Sequence, residues 1–224
     1  MKVLERYNIE DFFFFDIETI PGMDSMDERT IESWGYKKKL NVGDETELNV
    51  IKESYYKEAA LYPEYGKVIC FSYAYYENNV LKIGSIINEN EESLVCDIHN
   101  LLNDIENLNL ILCGHNIKGF DIPFLAKRFV VNKLRVHNKL DFSHCKPWDI
   151  NVIDTMDLWK FGGTKNSSLN DIAYALNIPS PKEEMSGSQV YEEYKKGNIS
   201  KIKEYCEKDT LTLERIVNKL MNND

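Results

Sequence analysis

The segment that most constrains the fold is F-F-F-F-D-I-E-T-I-P, at residues 12–21. Four consecutive phenylalanines followed by an isoleucine are typical of a strand that is buried on both faces, as in the centre of a parallel or mixed sheet. Because side chains alternate along a strand, Asp16 and Glu18 are expected to leave the same face at its C-terminal end. Two carboxylates beside an apolar wall are costly unless a cation lies between them. The segment therefore predicts a divalent metal site.

Composition predicts a single globular domain over residues 1–224. The chain is 43% hydrophobic and 29% charged, as expected for a soluble protein that can bury a large core. It lacks an apolar run of the roughly 18–20 residues that a membrane span requires. Its five cysteines are scattered and form no C-x-x-C pair, which favours reduced thiols. We therefore expect a cytoplasmic protein without a membrane partner.

The order of predicted elements indicates an α/β protein with a mixed sheet. Strands are predicted at 12–21, 67–76, 80–87, 108–113 and 150–153, and helices at 93–107, 122–131, 168–176, 189–197 and 199–219. A hairpin turn is expected at 77–79. Residues 23–63 are polar and charged without a strand pattern. This stretch is predicted to be an insertion outside the core, partly helical and mobile.

Two further acidic positions have informative surroundings. Asp121 stands two residues before Pro123, and an aspartate at the start of such a helix is most often an N-cap. Tyr205 and Asp209 are four residues apart on a predicted helix, so the phenol and the carboxylate share a face. A solvated carboxylate beside a half-buried tyrosine is the alternative. Taken singly, neither position establishes a site.

The charge pattern leaves two interpretations of one basic stretch open. The net charge of −10 predicts that the protein as a whole repels nucleic acid. Seven basic residues nevertheless lie between positions 118 and 146: Lys118, Lys127, Arg128, Lys133, Arg135, Lys139 and Lys146. They fit either the binding site of an anionic ligand or a solvated helix face.

Taken together, the acidic stretches resemble a known family. D-x-E, N-x-x-x-F-D and Y-x-x-x-D, in this order, resemble the three motifs of the DEDD (DnaQ-like) 3′–5′ exonucleases, in the tyrosine subclass (DEDDy). The sequence G-H-N-I-K-G-F-D-I-P-F-L-A-K-R, at 114–128, gives a long match to the second motif. S-G-S-Q-V at 186–190 and G-N-I at 197–199 are similar to the stand-alone exonucleases related to the proofreading domain of B-family DNA polymerases. The resemblance runs from about residue 12 to 220 and is weakest over 23–63. It implies a ribonuclease H-like fold, with a mixed central β-sheet flanked by α-helices.

The resemblance also implies a metal site and roles for its ligands. Ligands that are all carboxylates favour Mg²⁺ or Mn²⁺ over zinc, and the family uses two ions that hold the attacking and leaving oxygens. By resemblance, Asp16 bridges both ions, Glu18 and Asp209 complete the site of the catalytic ion, and Asp121 holds the second ion through water. Tyr205 is expected to position the attacking water, because its free pKa near 10 does not suit a general base at neutral pH.

Further residues match family positions near the substrate. Thr19 and Ile20 resemble positions that contact the terminal nucleotide. Asn116 and Phe120 resemble positions that line the path of the single strand, where Phe120 either stacks on a base or packs in the core. Arg128 is expected to brace the helix of Asp121 rather than to bind phosphate.

The resulting prediction is a 3′–5′ exonuclease that releases nucleoside 5′-monophosphates from single-stranded nucleic acid. DNA is favoured over RNA, but a 3′–5′ exoribonuclease stays an alternative because no contact to a 2′-hydroxyl can be located from sequence. A catalytically inactive nucleic-acid-binding module is the second alternative, and the presence of all four acids together with Tyr205 weighs against it. No polymerase domain is expected after Asp209, so proofreading would require a partner protein of replication or repair. Asp154 and Asp157 are expected to lie outside the metal site or to support it.

Overall fold

A mixed five-stranded sheet organises the part of the chain that the structure describes. The computed structural model describes residues 1–146, 148–179 and 185–222. The strands are β1 (Phe12–Pro21), β2 (Gly66–Glu77), β3 (Val80–Ile87), β4 (Ile111–Gly114) and β5 (Ile153–Asp154). Their spatial order is β3-β2-β1-β4-β5. β2 and β3 are antiparallel, whereas β4 is parallel to both β1 and β5. The predicted mixed sheet is confirmed.

Helices flank this sheet, as the sequence predicts for an α/β protein. They are α3 (Glu91–Asp104), α4 (Asp121–Val131), α5 (Thr155–Lys160), α6 (Leu169–Ala175), α7 (Val190–Lys195) and α8 (Ile199–Asn222). Two further helices, α1 (Glu28–Lys38) and α2 (Glu45–Glu58), lie within the stretch Thr19–Lys67. α3 begins two residues earlier than predicted, because Asn90 is its N-cap and accepts the backbone N–H of Ser93. Among the described helices, none combines the length and the apolar character that crossing a bilayer demands.

The four phenylalanines of β1 place this strand at the centre of the fold. Phe13 and Phe15 pack in one buried cluster with side chains of α3 and α4. Phe12 and Phe14 point the other way and pack with side chains of α6 and α8. All four are at most 1% exposed. β1 is therefore held from both faces, as its sequence predicts, and its C-terminal end is a fixed position for Asp16 and Glu18.

The hairpin between β2 and β3 follows its sequence signal closely. Glu77 pairs with Val80, so the loop consists of two residues, Asn78 and Asn79. Both have positive φ values, 52° and 61°. Asparagine tolerates this left-handed conformation, which a two-residue hairpin loop of this type requires. The turn predicted at 77–79 is thus confirmed and is one residue shorter than expected.

Two short strands begin later than the sequence predicts. β4 was expected from residue 108, but Glu106–Leu108 forms a 3₁₀ turn and Asn109 adopts a left-handed conformation with φ 51°. β5 was expected over 150–153, but the backbone N–H of Val152 donates to the carbonyl of Ile150 at 3.0 Å. These local hydrogen bonds delay the extended conformation at both strands.

The described chain divides into two compact units. One contains Met1–Glu18 together with the described residues from Val68 onward, and the other is Thr19–Lys67. The second unit includes the insertion predicted at 23–63. Every functional side chain of the carboxylate cluster described below belongs to the first unit.

The unit Thr19–Lys67 has a small core of its own. Trp34 of α1 is completely buried and packs with Ile51 and Tyr55 of α2. Its indole Nε1–H donates to Ser54 Oγ at 2.9 Å. The predicted partly helical character of this stretch is confirmed, and its mobility stays a prediction.

Candidate active site

Asp16 and Glu18 stand on one face of β1, at the end of the aromatic run. Glu18 is 8% exposed and Asp16 is partly buried. One carboxylate oxygen of each, together with the Sγ atom of Cys206 on α8, forms a group whose members all lie within 4.8 Å of one another. Alternation along the strand has therefore brought the two carboxylates together, as predicted.

Asp121 also faces β1 and is not the N-cap of its helix. It is the first residue of α4, and the N-cap is Phe120. Asp121 is 3% exposed, and its Oδ1 accepts the backbone N–H of Ile17 at 3.2 Å. Ile17 lies between Asp16 and Glu18 in the chain. The alternative reading of Asp121 as an ordinary N-cap is therefore wrong, because its carboxylate extends across to the strand that carries the acidic pair.

Tyr205 and Asp209 approach the same cluster from α8. The phenol of Tyr205 is 7% exposed and is hydrogen-bonded to the Asp209 carboxylate. Asp209 and Glu18 are close enough for the negative charge of one to affect the other. The i and i+4 spacing thus places both groups on the helix face that lies against the end of β1.

Hydroxyl and thiol contacts fix this part of α8 against the sheet. Ser72 of β2 donates through its Oγ to the backbone carbonyl of Cys206 at 2.7 Å, and it is also hydrogen-bonded to Thr210. The Sγ of Cys206 lies 3.6 Å from the backbone oxygen of Asp16 and 3.7 Å from its Oδ2. These contacts position α8 relative to Asp16. Ser72 and Cys206 were not predicted from the sequence, although Cys206 lies between two predicted site residues in the same motif.

The electrostatics of the cluster show that its carboxylates act on one another. Burial raises the pKa of Asp16 well above its ordinary value, and the charges of Asp121, Asp209 and Glu18 raise it further. Burial and the charge of Asp209 likewise raise the pKa of Glu18. Burial raises the pKa of Asp121 to about 7, against the opposing effect of the backbone N–H groups of Asp121 and Ile17. The cluster is therefore unfavourable for full ionisation unless a cation neutralises it.

The same surroundings act on Tyr205 and Cys206. Burial raises the pKa of the Tyr205 phenol above its ordinary range, and the Asp209 carboxylate raises it further. Burial also raises the pKa of the Cys206 thiol. Both groups therefore keep their protons near neutral pH, so the oxygens of the carboxylates are the anionic donors at this site.

Asp154 positions the loop that precedes α4. Its carboxylate accepts the backbone N–H groups of Asn116, Lys118 and Met156, at 2.9, 3.1 and 3.0 Å. Asn116 has a positive φ of 60°, and Asp154 holds the backbone in that conformation. Asp154 thus supports the loop, and its expected relation to the metal site stays a prediction. An aspartate at the end of a predicted short strand was the available sequence signal.

The residues predicted to contact the substrate pack against other parts of the protein. Phe120 is partly buried and its ring centroid lies 5.3 Å from that of Phe124. In the unit Thr19–Lys67, the hydroxyl of Thr19 donates to the carbonyl of Ala60 at 2.7 Å, and Ile20 is completely buried. A nucleotide contact at Ile20 would require its exposure. The substrate contacts predicted for Thr19, Ile20, Asn116 and Phe120 stay predictions.

Arg128 braces α4 against α3. Its Nε donates to Glu91 Oε1 at 2.8 Å, and its Nη2 is paired with Glu91 Oε2. Glu91 Oε1 also accepts the backbone N–H of Val68 at 2.8 Å. Both charged side chains are at most 11% exposed. This pair fixes the helix that carries Asp121, as predicted for Arg128.

Comparison with known proteins gives a family match. A family model described as a predicted 3′–5′ exonuclease related to the exonuclease domain of PolB matches residues 61–213, more than half of the chain. The matched range includes Asp121, Tyr205 and Asp209, and Asp16 and Glu18 precede it. A sequence comparison with curated proteins gives no match.

A solved structure shows the same fold. The family B DNA polymerase from the hyperthermophilic archaeon Pyrobaculum calidifontis is similar to this chain, with a TM-score of 0.52 and 14% sequence identity. The similarity covers 93% of this chain and 24% of the polymerase, so the chain spans only a small part of that protein's length. At this identity the likeness shows the fold alone. The predicted ribonuclease H-like class is confirmed.

Proposed function

Because the chain belongs to the family of predicted 3′–5′ exonucleases related to the exonuclease domain of PolB, we propose that it hydrolyses the terminal phosphodiester bond at the 3′ end of single-stranded DNA. The products are nucleoside 5′-monophosphates. One observation carries the proposal: four carboxylates from three distant parts of the chain affect one another at the end of β1. Burying like charges together is costly, and carboxylates perturbed in this way are typical of functional sites.

The donor set of the cluster suits a hard divalent cation. Carboxylate oxygens are preferred ligands of Mg²⁺ and Mn²⁺. Zinc sites more often recruit Cys or His, whereas the four ligands proposed here offer only carboxylate oxygens. We propose two ions, which when bound would stabilise the charge that develops on the phosphoryl oxygens and would acidify the attacking water. Asp16, Glu18, Asp121 and Asp209 would hold them.

Tyr205 serves in this proposal as a positioning group and not as a base. Its hydrogen bond to Asp209 and its burial keep the phenol protonated, because both raise its pKa. A protonated phenol next to the carboxylates donates a hydrogen bond and fixes the orientation of a water molecule. Asn116 and Phe120 would then guide the strand towards the cluster, and Thr19 would contact the terminal nucleotide.

The proposed cellular setting is the cytoplasm, and the state of the cysteines supports it. All five cysteines are free, three of them buried. Reduced, unpaired cysteines agree with the cytoplasm, where disulfides are rare. The substrate would be encountered there as single-stranded DNA.

The test uses 5′-labelled single strands of DNA and RNA with Mg²⁺ or Mn²⁺ and resolves the products by length. We expect a ladder that shortens from the 3′ end of DNA, with slower shortening of RNA. Faster hydrolysis of RNA would change the substrate assignment to an exoribonuclease. Binding of the strand without release of nucleotides would instead support the inactive binding module.

Matched variants separate chemistry from folding. Asp16→Asn removes one charge from a repulsive cluster, so the variant should fold at least as well as the parent while releasing no nucleotides. Asp97→Asn makes the same chemical change at an exposed position of α3 and should leave the ladder unchanged. Full activity of Asp16→Asn would refute the proposed role of the cluster.

A further inference from the structure

A recess lies beside α4, and none of the four carboxylates of the cluster lines it. It is a cavity of about 420 Å³. Its apolar lining includes these side chains from α4 and from the segment that follows it: Ile122, Ala126, Val130, Val136, Leu140 and Phe142. We call this recess the α4 pocket. Val130 is 62% exposed, so the apolar wall is open to solvent. Exposed apolar surface of this kind in a concave site is typical of a binding surface.

The α4 pocket adjoins the carboxylate cluster along one helix. Ile122, which lines the pocket, directly follows Asp121, which faces β1. Val130 lies nine residues beyond Asp121, about 13 Å farther along the helix axis. A strand whose 3′ end reaches the cluster could therefore continue over the pocket with its preceding nucleotides.

The charges around the pocket favour an anionic chain. Lys118 and Lys127 line it together with one acidic residue, Asp141, so its basic side chains outnumber its acidic one in a protein with a net charge of −10. The Nζ of Lys118 lies 3.3 Å from Asp157 Oδ2, and both side chains are partly exposed, so this ammonium group remains accessible. The two lysines suit the phosphate of a nucleotide, and the apolar walls suit the faces of its base.

We propose that the α4 pocket binds an unpaired base of the substrate strand, upstream of the nucleotide being removed. The phosphates that flank this base lie at Lys118 and Lys127, and Phe142 with the aliphatic side chains contacts the base. The inference rests on the proposed function, and it assigns to the basic residues 118 and 127 the anionic-ligand role that the sequence left open. The pocket contributes binding of longer strands and takes no part in the chemical step.

A matched pair of valines provides the test. Val130 lines the pocket, whereas its neighbour Val131, 55% exposed, does not. Val130→Glu and Val131→Glu add the same charge at the same end of α4, and both positions are exposed enough for glutamate to be hydrated. Binding is measured by fluorescence anisotropy with a 5′-labelled oligothymidylate in EDTA, where hydrolysis does not interfere. Thermal unfolding checks that both variants fold.

We expect Val130→Glu to weaken binding about tenfold, as for the loss of one stacked base, and Val131→Glu to bind as the wild type does. Hydrolysis of the p-nitrophenyl ester of thymidine 5′-monophosphate, which is too short to reach the pocket, should be equal in all three proteins. Equal binding of the strand by both variants would overturn the inference and leave a protein partner as the occupant of the pocket. Failure of the wild type to hydrolyse ester or strand would refute the proposed function, while the anisotropy comparison would still decide the inference.

Discussion

Replacing Asp121 by asparagine should stabilise the metal-free protein while it abolishes nucleotide release. Asp121 is 3% exposed, and burial raises its pKa to about 7. Its Oδ1 accepts the backbone N–H of Ile17 at 3.2 Å, and an asparagine side chain retains an oxygen that can accept the same bond. The substitution therefore removes the charge and keeps the hydrogen bond.

The magnitude follows from the difference between the folded and unfolded pKa values. An aspartate in the unfolded chain has a pKa of about 3.9, roughly 3 units lower, and each unit corresponds to about 1.36 kcal/mol. Below about pH 4 the Asp121 carboxyl is protonated in both the folded and the unfolded protein, so its burial costs no stability. Between about pH 4 and pH 7 the unfolded state loses its proton first, and stability falls by about 4 kcal/mol in total. Above about pH 7 the loss is complete.

Urea unfolding in EDTA, near pH 4 and near pH 8, measures this effect. Asp121→Asn should be more stable than the wild type by up to about 4 kcal/mol near pH 8, with a melting temperature higher by about 10 °C. Near pH 4 the two proteins should be nearly equal. The control Asp97→Asn should follow the wild type at both values. If Asp121→Asn is destabilised near pH 8, or if its effect is the same at both pH values, the electrostatic reasoning about the cluster is wrong.

Two further outcomes are expected. Mg²⁺ at a concentration 100 times its dissociation constant should raise the free energy of unfolding of the wild type by about 2.7 kcal/mol, and that of Asp121→Asn by less. Calorimetry with and without Mg²⁺ measures this rise. An equal rise in both proteins would exclude Asp121 from the metal site. Glu91→Gln removes the buried negative charge that faces the guanidinium of Arg128 and should lower the free energy of unfolding by about 3 kcal/mol. Glu92→Gln, at the exposed next position in the first turn of α3, is the control, and equal urea midpoints for the two variants would contradict this account of Arg128.

The position of the acidic pair could be predicted from sequence because it depends on one strand. Alternation places Asp16 and Glu18 on the same side wherever residues 12–21 form a strand, and the four phenylalanines make that strand certain to be buried. The spacing of Tyr205 and Asp209 works in the same way on a helix. Each of these relations depends only on the local secondary structure, so it can be predicted without knowledge of the tertiary structure.

Contacts between distant parts of the chain could not be predicted from such local patterns. The hydrogen bond from Ile17 to Asp121 joins residues 104 positions apart, and the bond from Ser72 to Cys206 joins residues 134 apart. Asp121 read alone favours an N-cap, and only the packing of α4 on the sheet shows which way its carboxylate faces. The late starts of β4 and β5 likewise depend on turns whose weak signals compete with β propensity.

The alternating burial of the phenylalanines in β1 has a consequence for how this protein can change. Loss or gain of one residue within 12–15 would leave the hydrophobic content nearly intact, yet it would move Asp16 and Glu18 to the opposite side of the sheet, away from Asp121. Substitutions of one large apolar side chain for another would keep the acidic pair in place. Length in this stretch should therefore be constant wherever the carboxylates are retained, even when the identity of the aromatic residues drifts.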